Sequence, residues 1–198
     1  MREPANIRAV AELGPDLMGF IFYPRSPRYV GEDFVMPLLP ETLQKTGVFV
    51  KAPADQVLEL AQKYGLDYVQ LHSDETPEYC AEMREAGLKV LKAFAVDASF
   101  DFEELKAFEG IADYFLFDTK GDGYGGHGKT FDRNILNNYT LDTPFFIAGG
   151  ISNDNIGELL NYSHPMFKGV DVNSRYEVSA GVKDVGALRE MFLRVRIK

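Results

Sequence analysis

An aspartate stands at the end of a strongly apolar segment near the middle of the chain. Asp118 directly follows the run Tyr114-Phe115-Leu116-Phe117. A carboxyl group at the edge of such a segment loses part of its contact with water, and this loss raises its pKa. A raised pKa suits a general acid that works near neutral pH. An aspartate that only organises the following loop would give the same pattern, so Asp118 is a candidate acid with a structural alternative.

Glycines and small polar residues close the last two apolar runs of the chain. Gly149 and Gly150 close one run, and Asn173 and Ser174 close the next. Glycine lets backbone N–H groups approach an anion closely, and such amides bind phosphate. An isolated glycine pair would indicate only a tight turn. Two such loops at the ends of successive runs favour a phosphate site.

Two further side chains follow earlier apolar runs and are candidates for the same site. Arg28 lies beyond a Pro-x-x-Pro turn, and His72 ends the run Tyr68–His72. The planar guanidinium group suits a carboxylate, although the spacing alone fits a surface arginine equally well. We therefore expect Arg28 and His72 to bind substrate.

The candidates lie at the ends of apolar runs that alternate with helical patterns. The runs are nearly continuous in hydrophobicity, which is typical of parallel strands buried on both faces. The predicted strands are Leu17–Tyr23, Thr46–Val50, Tyr68–His72, Val90–Val96, Tyr114–Asp118, Phe145–Gly149 and Gly169–Asn173. The predicted helices are Pro4–Leu13, Ala54–Tyr64, Pro77–Ala86, Phe102–Phe108, Asp132–Tyr139, Asn155–Asn161 and Val185–Ile197, and the stretch 31–44 is at best a short or broken helix.

This alternation predicts an α/β fold with a parallel sheet. A doubly wound sheet and an eight-stranded (β/α)8 TIM barrel both fit it, but no Gly-x-Gly-x-x-Gly follows the first strand, and the strands are evenly spaced. The barrel is therefore favoured, as a single domain over 1–198. The count is one helix followed by seven strand–helix units, which is a barrel without its first strand. In such a barrel the strand ends that carry the candidates meet at one face.

The composition argues against several partners and compartments. The net charge is −9, from 21 Lys and Arg against 30 Asp and Glu. Such a chain is not expected to have the basic surface that binding of nucleic acid requires. No apolar run approaches the roughly 18 residues that span a bilayer, and the chain begins without the apolar region of a signal peptide. The single cysteine excludes an internal disulfide and favours the cytoplasm.

A metal site is not expected from the residues. His72, His127 and His164 do not have the spacing of metal ligands, and His127 lies in a glycine-rich loop over 121–130. Cys80 falls inside a predicted helix, where we expect it to pack against the sheet rather than to react.

Eight short motifs follow one another along the chain. They are Met1–Asn6, Gly19–Tyr29, Gly47–Val50, Val69–His72, Leu116–Thr119, Gly125–Asp132, Ala148–Ile151 and Gly169–Ser174. Their combination resembles the phosphoribosylanthranilate isomerase family of tryptophan biosynthesis, and the resemblance extends to about Asp184.

The resemblance implies a cofactor-free Amadori rearrangement. N-(5-phosphoribosyl)anthranilate would become 1-(2-carboxyphenylamino)-1-deoxyribulose 5-phosphate. By the resemblance, Asp118 protonates the furanose ring oxygen, Arg28 holds the anthranilate carboxylate, and the loops around Gly149 and Ser174 hold the phosphate. A cysteine thiolate of the family then removes the C2 proton.

The chain departs from the family pattern in two places. The family's cysteine stands in a Lys-x-Cys-Gly strand before the residues that match Met1-Arg2, so we expect this strand and base to be absent and turnover to be impaired. The exposed edges would then bind another segment or a partner chain, a homo-oligomer included. Where the family has Ser-Gly-Val-Glu, this chain has Ser174-Arg175-Tyr176-Glu177, which predicts a bulky side chain beside the phosphate loop.

Two functions of different classes remain open, an isomerase and a non-catalytic phosphate-binding barrel that has lost its base. A third possibility, a sugar-phosphate epimerase, is disfavoured because this sequence lacks the His and Asp metal ligands that such enzymes use. Retention of Asp118, Arg28 and both phosphate loops favours the isomerase.

Overall fold

The computed structural model describes residues 1–119 and 132–196. Within them, seven strands form one parallel sheet in sequential order. The strands are β1 (Leu17–Ile21), β2 (Gln44–Phe49), β3 (Tyr68–Leu71), β4 (Lys89–Val96), β5 (Tyr114–Thr119), β6 (Phe145–Ile147) and β7 (Phe167–Val170). All seven predicted strands are confirmed, with ends that differ by a few residues. The glycine-rich loop with His127 lies outside the described residues.

The helices lie mainly where the hydrophobic pattern predicts them. They are α1 (Pro4–Ala11), α2 (Ala54–Tyr64), α3 (Pro77–Glu85), α4 (Ile156–Asn161) and α5 (Val185–Arg196). No helix forms over 31–43, where Pro37 and Pro40 interrupt the backbone hydrogen bonding of a helix. None of the helices in the described ranges is long and apolar enough to cross a membrane.

Two predicted helices are 3-10 segments, over Phe102–Phe108 and Arg133–Asn138. Each follows an aspartate, Asp101 or Asp132, whose carboxylate accepts a hydrogen bond from the backbone N–H two residues later. Such local bonds compete with the α-helical pattern and favour tight turns. A short antiparallel hairpin, β8 (Glu177–Ser179) and β9 (Val182–Lys183), follows β7 and was not predicted.

The main core lies between the outer face of the sheet and the helices. On β5, Phe115 and Phe117 are fully buried on this outer face. Tyr114, Leu116 and Asp118 alternate with them and line a cavity on the inner face. Residues from all seven strands line the same cavity, so the sheet curls around it.

The sheet is open along one side. In residues 1–119 and 132–196, β1 and β7 each pair with one neighbouring strand. The described residues thus form a curled, seven-stranded parallel sheet with two free edges. The α/β class and the curled parallel sheet agree with the sequence prediction.

Candidate active site

The inner face of the sheet surrounds a cavity of about 810 Å³. Side chains and backbone at the carboxyl ends of the strands form one rim of it, as in barrel enzymes. All seven residues that the sequence singled out line this cavity, namely Arg28, His72, Asp118, Gly149, Gly150, Asn173 and Ser174. The structure brings them together, while their individual roles stay predictions.

A histidine and two carboxylates form the titratable part of the rim. Nε2 of His72 lies 3.6 Å from Oδ2 of Asp118, and each side chain is 17% exposed. Asp171 follows β7 directly and also lines the cavity. Asp171 is exposed at the surface of the cavity, and desolvation by the protein walls together with the neighbouring Asp118 carboxylate raises its pKa. The Asp171 carboxyl group can therefore hold a proton at a higher pH than an ordinary aspartate.

His72 is neutral in this environment. Burial lowers the pKa of its imidazole, and the Lys92 ammonium lowers it further, whereas the carboxylates of Asp171 and Glu75 oppose this. The side-chain amide nitrogen of Gln70 lies 2.9 Å from Nδ1 of His72.

Arg28 belongs to a buried network of charges. Its Nε donates to both carboxylate oxygens of Glu177, at 3.1 and 2.9 Å, and its Nη2 lies 2.8 Å from Oε2. The ammonium of Lys183 donates to Oε1 of Glu177 and to the backbone and side-chain oxygens of Asn173. Burial alone would raise the pKa of Glu177, but Arg28 and Lys183 together hold it below its ordinary value. The network thus joins the arginine to one of the two candidate phosphate loops.

The loop after β6 requires glycine for two reasons. Gly149 and Gly150 have φ values of 89° and 60°, which L side chains rarely adopt. A Cβ atom on Gly149 would also lie 2.9 Å from the backbone nitrogen of Thr119. Asn155 supports the loop because its amide donates to the Gly150 carbonyl and its oxygen accepts from the Ser152 N–H.

The bulky residues after Ser174 are placed differently from one another. The Tyr176 side chain is 1% exposed, and its hydroxyl donates to Oδ1 of Asn153. Tyr176 therefore packs into the core and is not the bulky side chain beside the phosphate loop. Arg175 does line the cavity.

Cys80 does not line the cavity, and its side chain is completely buried. Burial raises the pKa of its thiol to about 11. The prediction that Cys80 packs rather than reacts agrees with this position. Among the described residues, no group of three His, Cys, Asp or Glu side chains is placed to hold a metal ion.

Sequence reasoning missed four residues of the site, which are Gln70, Asp171, Glu177 and Lys183. Asp171 had a usable signal, since it is a carboxylate inside the predicted strand Gly169–Asn173. Gln70 had a weaker one, because it lies two residues before His72 on the same strand face. The positions of Glu177 and Lys183 depend on the hairpin after β7, which no pattern in the sequence indicated.

These features define a class. The chain is a TIM-barrel-like α/β protein that places an acid group, an arginine and glycine-containing loops around one cavity. The family model for N-(5'-phosphoribosyl)anthranilate (PRA) isomerase matches residues 1–194. The chain belongs to this family.

Relatives and solved structures agree with the family model. The N-(5'-phosphoribosyl)anthranilate isomerase of Phocaeicola vulgatus is 43% identical over 198 residues, covering 100% of this chain and 96% of the relative. That of Parabacteroides distasonis is also 43% identical, covering 98% and 90%. The crystal structure of phosphoribosyl anthranilate isomerase from Thermotoga maritima has a TM-score of 0.83 at 30% identity, covering 98% and 94%. A crystal structure of a phosphoribosyl anthranilate isomerase in complex with reduced 1-(o-carboxyphenylamino)-1-deoxyribulose 5-phosphate has a TM-score of 0.82 at 26% identity. The match covers 100% of this chain and 96% of that one.

The comparisons confirm the predicted family. The chain is therefore a member of the phosphoribosylanthranilate isomerases, which are intramolecular oxidoreductases of tryptophan biosynthesis. They favour the enzyme over a non-catalytic phosphate-binding barrel, and they do not support the expected impairment of turnover.

Proposed function

We propose that the cavity holds N-(5'-phosphoribosyl)anthranilate by its two anionic ends. The substrate has a phosphate at one end and a carboxylate at the other, so it needs two separate anion sites. The backbone around Gly149, Gly150 and Ser174 suits the phosphate, and Arg28 suits the carboxylate. The net charge of −9 also favours such local attraction over any broad basic surface, so the partner is a small molecule rather than nucleic acid.

Asp118 is the proposed acid of the reaction, and its position carries the proposal. Its carboxyl group lies in the same cavity as Arg28 and both glycine- and serine-containing loops. It donates a proton to the furanose ring oxygen, the bond from C1 to that oxygen breaks, and the nitrogen lone pair forms the C=N bond of a Schiff base.

A base then removes the C2 proton, the electron pair of that bond forms the C1=C2 bond of an enolamine, and the π pair of the C=N bond returns to the nitrogen. Loss of the C2 hydroxyl proton and gain of a proton at C1 give the ketone product. The steps exchange only protons with the protein and shift electron pairs within the substrate, so the reaction needs no cofactor. Cys80 is not a suitable base, since its thiol is buried outside the cavity.

We also propose that a further parallel strand closes the sheet between β1 and β7 into a (β/α)8 barrel. The resemblance to the family places the basic cysteine on such a strand. Unpaired strand edges are templates for pairing, so the strand comes from another segment or from a partner chain, which would make a homo-oligomer. A second copy of this sequence would close the sheet without supplying that cysteine, because its one cysteine is Cys80. Sedimentation equilibrium distinguishes these sources, because only the second gives a mass above that of one chain. The single cysteine favours a reducing compartment, so we propose the cytoplasm as the location.

Replacement of Asp118 with asparagine tests the acid role. We expect kcat to fall by about 10²–10⁴-fold, because the amide cannot give up a proton to the ring oxygen. Binding of reduced 1-(o-carboxyphenylamino)-1-deoxyribulose 5-phosphate, measured by calorimetry, is expected to persist. Asp55→Asn on the exposed surface of α2 is the matched control and should leave turnover unchanged. Full activity of Asp118→Asn would remove Asp118 from the mechanism.

A further inference from the structure

The end of β3 carries an amide and an imidazole that face the cavity together. Gln70 and His72 are alternate residues, so their side chains lie on the same face of the strand. Gln70 is 7% exposed, and its Nε2 lies 2.9 Å from Nδ1 of His72. An amide nitrogen has hydrogens to donate and no lone pair to accept a bond. With the amide nitrogen in this position, Nδ1 is the acceptor, and this arrangement favours the neutral imidazole that carries its proton on Nε2.

Charged groups approach His72 from several elements. Asp118 on β5 and Asp171 after β7 face it across the cavity, while Lys92 on β4 and Glu75 lie on the side of the helices. Protonation of Nδ1 would bring its hydrogen against the N–H of the Gln70 amide. The amide therefore opposes the imidazolium form even with the three carboxylates nearby, and burial acts in the same direction.

We propose that Gln70 is a positioning residue that holds His72 as the Nε2–H tautomer facing Asp118. The proposal rests on the proposed acid role of Asp118. An imidazolium at this distance would favour the ionised carboxylate, and an ionised Asp118 has no proton to give. The neutral Nε2–H leaves Asp118 able to carry its proton. Once the proton has moved to the ring oxygen, Nε2–H can donate to the new carboxylate, and the present 3.6 Å separation shortens to a hydrogen bond.

Gln70→Glu reverses the hydrogen bond with almost no change in size. A carboxylate accepts from Nδ1–H, which moves the imidazole proton to Nδ1 or creates the imidazolium. Gln70→Leu removes the donor without adding an acceptor, so it leaves both neutral tautomers accessible. Gln62→Glu makes the same chemical change on the exposed surface of α2 and serves as the control.

The decisive measurement is imidazole 15N NMR of the whole chain as a function of pH. The chain has three histidines, and His72→Gln assigns the His72 signals by difference. We expect the Nε2–H tautomer in the unmodified protein and in Gln62→Glu. In Gln70→Glu we expect the Nδ1-protonated form and a titration at higher pH. An Nδ1–H tautomer in the unmodified protein would overturn the proposal, as would identical His72 titrations in the protein and both Gln70 variants.

Steady-state kinetics then separates positioning from substrate binding. We expect kcat of Gln70→Glu to fall by about 10²-fold, as for loss of general acid catalysis, with KM nearly unchanged. A change in KM alone would assign Gln70 to substrate contact and refute the positioning role. The tautomer readout does not depend on turnover, so failure of the acid role of Asp118, seen as full activity of Asp118→Asn, is distinguishable from failure of this proposal.

Discussion

Replacement of Lys92 or Glu75 tests how the β3 end is held in place. The Lys92 ammonium lies 3.2 Å from Oε2 of Glu75, and the two side chains are 2% and 4% exposed. Lys92 also donates to the carbonyl oxygens of Leu71, Ser73 and Ala93. Glu75 accepts from the backbone N–H groups of Lys51 and Ser73. One ion pair thus joins β4 to the segment that follows His72.

The two single variants differ in what they leave behind. Lys92→Met leaves a buried carboxylate with two N–H donors, and we expect unfolding to become easier by about 3 kcal/mol. Glu75→Gln leaves a buried ammonium with neutral partners only, and we expect a loss of about 4–5 kcal/mol. The double variant Lys92→Met/Glu75→Gln leaves no buried charge, so it should be less destabilised than the sum of the two.

The loss in Glu75→Gln should depend on pH with a definite sign. Burial lowers the pKa of Lys92 from its ordinary 10.5, and Glu75 opposes this, so the pKa falls further without Glu75. The folded variant then binds fewer protons than the unfolded chain, and its stability rises as the pH is raised towards 10.5. Urea unfolding followed by circular dichroism at pH 7 and pH 9.5 measures both effects. Equal destabilisation at the two pH values, or full additivity in the double variant, would refute this account of the pair.

Three other variants test the loops and the charge network. Gly149→Ala should weaken substrate binding and destabilise the fold by about 2–3 kcal/mol in thermal unfolding, because of its positive φ and the nearby Thr119 backbone. Gly31→Ala also has a positive φ but open space around it, so it should lose only about 1 kcal/mol. Equal losses in the two variants would contradict the steric argument. Glu177→Gln should raise KM about tenfold, because it weakens the bonds that orient Arg28, and an unchanged KM would show that Arg28 needs no such support. Asp171→Asn should become more stable relative to the unmodified protein as the pH rises above 4. The raised pKa of Asp171 makes the unmodified protein lose stability as this carboxyl group ionises, and the variant has no such group. Parallel stability curves from pH 4 to 8 would contradict the raised pKa.

The order of the elements and the class of the fold were predictable from the sequence. Continuous apolar runs such as Tyr114–Phe117 identify buried parallel strands, and their regular alternation with helical patterns leaves few topologies. The same runs predicted where chemistry would lie, because parallel strands bring their carboxyl ends to one rim. Asp118, Arg28 and the glycines after β6 were found in this way. These features depend on local residue types, which the sequence contains directly.

The tertiary structure alone decided how these residues are paired. Arg28 meets Glu177, 149 residues further along the chain, and Lys92 on β4 meets Glu75 in the loop after β3. Such partners depend on how the curled sheet brings distant segments together, and no spacing encodes them. The lowered pKa of His72 likewise follows from burial. The sequence by itself determined the elements and the types of chemical group, and the packing of the sheet determined their charges, tautomers and contacts, because desolvation and hydrogen bonding exist only once the chain is folded.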